Sequence, residues 1–273
     1  MPFVKSRVEI ILTSIQNPLV KQVRKLHRAK ERQKQNLLLL EGTNLIEAAF
    51  QLDYKLNIVF YTDRWQANHR LLGQKIANKG VKLQLVSSDV LNAIATTVNP
   101  DGVVAIAPRN LTKPVIAQTS LGIAIERLQD PGNLGTIIRS AVATGVDGLW
   151  LSSDSVDVYS PKVLRASVGE WFRIPMGINT DLWELISQHQ QQGIQVIATA
   201  SKAQKSYWDV DFTQPSLILL GNEGAGLSEE LIAKADERVT IPLANGVESL
   251  NVAVATALLL YEAKRQLHLN SDR

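Results

Sequence analysis

Residues 121–152 read LGIAIERLQDPGNLGTIIRSAVATGVDGLWLS, and their pattern decides the fold class. LGIAIERL (121–128), apolar through Ile125, predicts a strand, NLGTIIRSAVATG a helix that stops at Gly145, and DGLWLS a second strand. Two strands joined through a helix make a crossover unit, which pairs them in parallel. Downstream the alternation continues with helix DLWELISQHQQQG, strand IQVIATA, strand SLILLG, helix LSEELIAKA behind Ser228 as N-cap, strand RVTIPL and a closing helix over 250–267. A parallel α/β domain follows from this.

Upstream, APRNLTKPVIAQTS (107–120) holds two prolines and no apolar periodicity, so the domain boundary is placed there, with domains at 1–110 and 119–273. The N-terminal part reads as a smaller mixed α/β domain. PLVKQVRKLHRAKERQKQ (18–35) predicts one helix with Asn17 as N-cap and Pro18 as its first residue. A short buried strand at 37–40, helix EGTNLIEAAFQL, strand NIVFYT, a helix ending over 74–79, strand KLQLVS and a last strand over 102–107 follow.

At 273 residues, two domains of ordinary size are expected. The chain has no cysteine, so disulfides and thiolate metal sites are excluded, and four scattered histidines argue against zinc. MPFVKSRVEI lacks the features of a secretory signal, and no stretch approaches the roughly 20 apolar residues of a membrane span. A cytoplasmic location without membrane or metal is the expectation.

The net charge of +3 is unevenly distributed. Nine basic residues (Lys5, Arg7, Lys21, Arg24, Lys25, Arg28, Lys30, Arg32, Lys34) face two acids, Glu9 and Glu31, while the rest of the chain is net acidic. Such a segment suits a polyanion, because Lys and Arg displace phosphate counterions. A solvated helix face is the plain alternative.

Three polar, glycine-bearing loops follow strands of the parallel sheet: DPGNLGTIIR (130–139), GNEGAGLSEE (221–230) and PLANGVESLN (242–251). Ligands of such sheets gather at the strands' carboxyl ends. The glycines of the second loop are spaced GxxGxG, which matches neither the dinucleotide fingerprint nor a phosphate loop, and disfavours an NAD(P) enzyme. By themselves they fit tight turns better than a ligand loop. Arg139 sits among small and apolar helix residues, where a guanidinium needs a charged partner: either substrate or an internal carboxylate such as Glu223.

In order and spacing, ERLQDPGNLGTIIRSAVATG, LILLGNEGAGLS and IPLANGVESLNVAVATALLLYEAKRQ resemble the three signature motifs of the SpoU (TrmH-type) RNA ribose methyltransferases of the SPOUT superfamily. LLLLEGTNLIEAA more loosely resembles their ribosomal-protein-like substrate-binding domain. The resemblance implies a C-terminal SPOUT domain with a deep trefoil knot, a homodimer formed through that domain, and S-adenosylmethionine-dependent 2′-O-methylation of a ribose in structured RNA, rRNA ahead of tRNA. An inactive RNA-binding or ribosome-assembly factor on the same fold is the alternative.

By the same resemblance the catalytic set is Asn133, Arg139, Glu223, Ser249 and Asn251. Thr199, Ala200, Leu220, Gly221, Gly224, Ile241, Leu243, Leu250 and Asn251 hold the cofactor, largely by backbone. Arg24, Lys25, Arg28 and Arg32, with Arg139, meet the RNA. A guanidinium seldom yields a proton, so Arg139 is read as a fork that grips phosphate and stabilises charge on the attacking oxygen. Glu223 is read as orienting Arg139 or accepting the proton.

Overall fold

The computed structural model describes residues 10–179 and 181–271; Lys5, Arg7 and Glu9 lie outside them. Two compact units emerge, one formed by the chain through Arg109 together with Tyr159–Phe172, the other by Asn110–Val158 and the chain from Arg173 onward. The segment Tyr159–Phe172, which the sequence reading assigned to the C-terminal domain, thus packs with the first unit.

In the first unit, strands β1 (Leu37–Glu41), β2 (Ile58–Tyr61), β3 (Lys82–Leu85) and β4 (Val103–Pro108) form a sheet of order β1-β4-β2-β3. Its β1–β4 and β4–β2 pairs are antiparallel and its β2–β3 pair is parallel. Val20, Val23 and Leu26 enter a core with Phe60, Val90, Ile94 and Val104. Asn17 caps the first helix by accepting from the Leu19 N–H at 2.9 Å, and Pro18 opens it.

The helix expected over 18–35 is two helices, Pro18–Lys25 and Ala29–Gln35. The first ends at Lys25 with Leu26 buried just beyond it, and the Arg32 guanidinium donates to the carbonyls of Leu26 (2.8 Å) and His27 (3.0 Å), which the turn leaves without helical partners. Arg32 is therefore buried. This corrects its placement on the basic outer face, where Arg24, Lys25 and Arg28 do lie exposed.

Within the same unit, the helix Pro161–Ala166 brings Arg165 onto Glu41, with Nη1 2.8 Å from Oε2. The buried Glu41 carboxylate also accepts from the Thr96 N–H (2.9 Å) and hydroxyl (2.7 Å), from the Thr97 N–H (3.0 Å) and from the Thr97 hydroxyl. Burial opposes its ionisation, yet the threonine donors and Arg165 outweigh that and hold the carboxyl below its ordinary value.

The second unit is built on a seven-stranded, wholly parallel sheet: β5 (Leu121–Ile125), β6 (Gly148–Ser152), β7 (Met176–Asn179), β8 (Gln195–Thr199), β9 (Lys205–Ser206), β10 (Ser216–Leu220) and β11 (Glu237–Thr240), in the order β7-β6-β5-β10-β8-β11-β9. β5 and β10 are buried along their whole length, as expected of parallel strands covered on both faces. One face packs Ala124, Trp150, Val196, Ala198, Leu217 and Leu219 against Leu182, Leu185 and Ile186 of helix Leu182–Gln191. Helix Pro131–Thr144 ends in left-handed Gly145 (φ +84°), and the last helix, Val252–Ser271, packs along it.

β11 lies between β8 and β9, so the short connection from Thr199 to Lys205 carries the chain from one edge of β11 to the other. The strand expected over 238–243 stops at Thr240. β7 was not anticipated, because an edge strand of four residues with Ile178 half exposed carries little pattern. Among the described residues no helix is long and apolar enough to cross a membrane.

Candidate functional site

The four adjacent strands β5, β10, β8 and β11 end on one edge of the sheet, and the three loops singled out in the sequence leave from there. In the first loop Asp130 caps helix Pro131–Thr144, its Oδ1 accepting from the Asn133 N–H at 2.8 Å. The residues before it are held in an unusual shape. Arg127 has left-handed backbone (φ +53°), which costs a non-glycine residue roughly 1–2 kcal/mol. Its N–H donates to Ser152 Oγ (2.8 Å) and its carbonyl accepts from the Asn222 side chain (2.8 Å).

The second loop folds back on itself. Asn222 and Gly226 exchange both backbone hydrogen bonds (3.0 and 2.9 Å), and Asn222 Oδ1 accepts from the N–H groups of Gly224 (3.0 Å) and Ala225 (2.9 Å). A Cβ on Gly221 would lie 2.0 Å from the Gly226 carbonyl carbon, so only glycine permits this fold. Gly224 has room for a side chain.

The turn presents Glu223 to the start of the helix. Its carboxylate accepts from the N–H groups of Asp130 (2.9 Å) and Gln129 (3.2 and 3.3 Å to its two oxygens), from Asn133 Nδ2 (3.2 Å) and from Asn222 Nδ2 (3.3 Å). Partial burial works against ionisation, but the Asp130 N–H and the other donors prevail, so the carboxyl titrates below its ordinary value. An anion at a helix N-terminus is favoured for the same reason.

The third loop is exposed throughout 242–251, turning at Asn245 (φ +57°) and Gly246 (φ +72°). Asn251 starts the last helix by accepting from the Ala253 N–H (2.9 Å), and its Nδ2 donates to Asn133 Oδ1 (2.9 Å). Asn133 therefore bridges Glu223 and Asn251, and one chain of side chains ties the three loops together.

The structure thus brings together Asn133, Glu223 and Asn251. Arg139 stands apart: six residues along the helix it is displaced by about 9 Å and about 240° around the axis. Exposed, it has no ion pair or hydrogen bond among the described residues, and the considered Glu223–Arg139 contact is not made. Ser249 is exposed near Asn251, with no side-chain hydrogen bond among those residues.

Of the residues expected around the cofactor, Thr199 and Ala200 close β8, Leu220 and Gly221 close β10, and Ile241 follows β11, all on neighbouring strands. The Thr199 hydroxyl is engaged by the Leu219 carbonyl (2.9 Å), which leaves mainly backbone and aliphatic surface there. Leu243 and Leu250 are partly exposed. Asp130, Asn222 and Gln129, which organise the site, were not singled out in the sequence. The signal for Asp130 was its place before Pro131, a capping position; that for Asn222 was its place before a glycine-rich turn.

Residues 120–261 match the SpoU rRNA Methylase family, and residues 17–105 match the MRM3-like substrate binding domain. The chain belongs to the SpoU rRNA methylase family. It is 46% identical to an uncharacterized tRNA/rRNA methyltransferase of Synechocystis sp., over 93% of each chain. With the 23S rRNA (guanosine(2553)-2′-O)-methyltransferase RlmP of Bacillus subtilis it shares 32% identity, over 93% of this chain and 98% of that one. The crystal structure of the AdoMet-bound rRNA methyltransferase from Sinorhizobium meliloti superposes with a TM-score of 0.82 at 33% identity, covering 94% of this chain and 98% of the other.

Proposed function

We infer that this protein transfers a methyl group from S-adenosylmethionine to a ribose 2′-hydroxyl of ribosomal RNA. The observation that carries the reading is the Glu223–Asn133–Asn251 chain, which draws three family motifs to one edge of a parallel sheet. The ends of β8, β10 and β11 fit the cofactor: backbone groups, a glycine that tolerates no side chain, and aliphatic Ile241, Leu243 and Leu250 suit an adenine and a methionine chain. Thr199, Ala200, Leu220, Gly221 and Gly224 would hold it with them. When bound, the sulfonium supplies an activated methyl group.

Arg139 is the exposed guanidinium of the first motif's helix. Its role is to grip an RNA phosphate and stabilise negative charge on the attacking oxygen. Glu223 is a positioning residue: donors occupy both of its oxygens and lower its basicity, which makes it a poor proton acceptor. Asn133 and Asn251 lock the loops around the ribose, with Ser249 beside them. Arg24, Lys25 and Arg28 form the RNA-facing basic surface of the first unit.

The trefoil knot belongs to this proposal, supported by the way the chain between Thr199 and Lys205 passes from one edge of β11 to the other. So does a homodimer through the C-terminal unit: Val254, Leu258 and Tyr261 form an exposed apolar stripe at helical spacing beside a hollow of about 530 Å³. A cytoplasmic location accords with an RNA substrate.

Calorimetry with S-adenosylmethionine, followed by transfer of a labelled methyl group to unmodified ribosomal RNA, tests the reading. Binding and transfer are expected. Absence of cofactor binding would favour an inactive RNA-binding factor on this fold.

A further inference from the structure

A second hollow opens on the same edge of the parallel sheet, on the β5, β6 and β7 side of the cofactor strands and sharing only the chain after β10 with them. Its volume is about 280 Å³, and its walls include Glu126 and Arg127 after β5, Asp154 after β6, Trp183 after β7 and Glu230 after β10. β5 and β10 are neighbours from which the sheet is continued in opposite directions, β6 and β7 on one side, β8 and β11 on the other. Crevices at such switch points are where parallel α/β sheets take their ligands.

The hollow is joined to the Glu223 site by shared hydrogen bonds. Asn222 Nδ2 donates both to the Arg127 carbonyl (2.8 Å) and to Glu223 (3.3 Å). The Gln129 side chain donates to the carbonyls of Arg127 (3.2 Å) and Asp154 (3.0 Å), while its backbone N–H meets Glu223. The hollow therefore adjoins the loops that Asn133 and Asn251 lock together, where the ribose is placed.

The walls suit a base rather than a phosphate. Carboxylates outnumber the single guanidinium, and those of Asp154 and Glu230 have no hydrogen bond or ion pair among the described residues. Arg127 reaches Glu126 through one nitrogen at 3.3 Å, whereas its buried Nε has no partner. Trp183 is 40% exposed, with Lys234 5.0 Å from its ring centre. A base with two adjacent donors for a carboxylate, acceptors for a guanidinium and a face for an indole is guanine. Adenine and cytosine pair a lone amino donor with a ring acceptor on that edge, and uracil flanks its single donor with acceptors.

We propose that the hollow formed by Arg127, Asp154, Trp183 and Glu230 holds the guanine base of the nucleotide to be methylated. The proposal rests on the methyltransferase reading but has a test of its own. Guanosine, adenosine, cytidine and uridine are titrated separately against the wild type, Trp183→Phe, Glu230→Gln, Asp154→Asn and Arg127→Gly, followed by tryptophan fluorescence. Glycine adopts the left-handed backbone of Arg127, so that variant removes the side chain alone.

Guanosine is expected to change the wild-type signal at concentrations at least fivefold below the other nucleosides. The change should be lost in Trp183→Phe and shifted at least threefold to higher concentration in the other variants. No guanosine preference, or one unaltered by every variant, overturns the proposal whether or not methyl transfer is observed. In transfer assays, the same variants should bind S-adenosylmethionine like the wild type while the RNA concentration for half-maximal rate rises at least threefold. Wild-type transfer to a ribose bearing another base would also overturn it, and would leave the methyltransferase reading intact.

Discussion

Glu41 and Glu223 show two uses of the same chemistry. Each carboxylate accepts several hydrogen bonds, and each titrates below its ordinary value although burial opposes this. Glu41 is enclosed, and its donors include a cation, Arg165, and two threonines far apart from it in sequence. Glu223 is exposed at a loop tip, and its donors are amides. Enclosure makes the first carboxylate a fastener of the fold. The second fastens only loops, and because it leaves Arg139 alone, the one cation of the first motif's helix stays available to a substrate.

The comparison can be broken at several points. Glu41→Ala takes the shared acceptor from partly exposed Arg165 and two threonine N–H groups and is expected to destabilise the protein by about 1–3 kcal/mol in chemical denaturation. Glu223→Ala should have a far smaller effect on stability but a large one on transfer. Arg139→Ala should reduce transfer by about 10²–10³-fold with cofactor binding intact in calorimetry. Arg139→Lys should recover little of that loss, since an ammonium lacks the planar fork. Gly221→Ala forces a Cβ into the Gly226 backbone; a cost of about 3 kcal/mol and loss of the calorimetric signal with S-adenosylmethionine are expected.

A pH series sharpens the contrast. Both carboxyls have folded-state values below the ordinary 4.5, so the stability they contribute is present above that pH and lost as pH falls through the lower folded values. Glu41→Gln should flatten this acid limb more than Glu223→Gln does. The smallest effect concerns the basic face: neutralising Arg24, Lys25 and Arg28 should lower the salt slope of RNA binding by up to about 3, at roughly 0.9 per phosphate contact. Arg32→Ala should cost stability instead, because that guanidinium satisfies helix carbonyls.

The parallel sheet was legible because β5 and β10 are continuous apolar runs bounded by glycine and polar loops. Asn17, Pro18, Ser228 and Gly145 marked helix ends correctly, for capping is a local matter. Tertiary demands were hidden. Leu26, at the break, packs into a core assembled from residues up to 106, and Arg32 bonds the carbonyls that the break leaves free. Packing of Tyr159–Phe172 with the first unit brings Arg165 to Glu41 across 124 positions and Tyr54 to Trp171 and Phe172, contacts that no periodicity announces. At the site, the motif residues could be named from resemblance, but Glu223 bonding to Asn133 and the first loop's N–H groups rather than to Arg139 was a matter of geometry.

The central claim is best tested by mapping 2′-O-methyl groups in ribosomal RNA from cells that lack this protein, complemented with the wild type or with Arg139→Ala. A single ribose position should gain its methyl group with the wild type and remain bare with the variant. Identical methylation maps in all three would contradict the account.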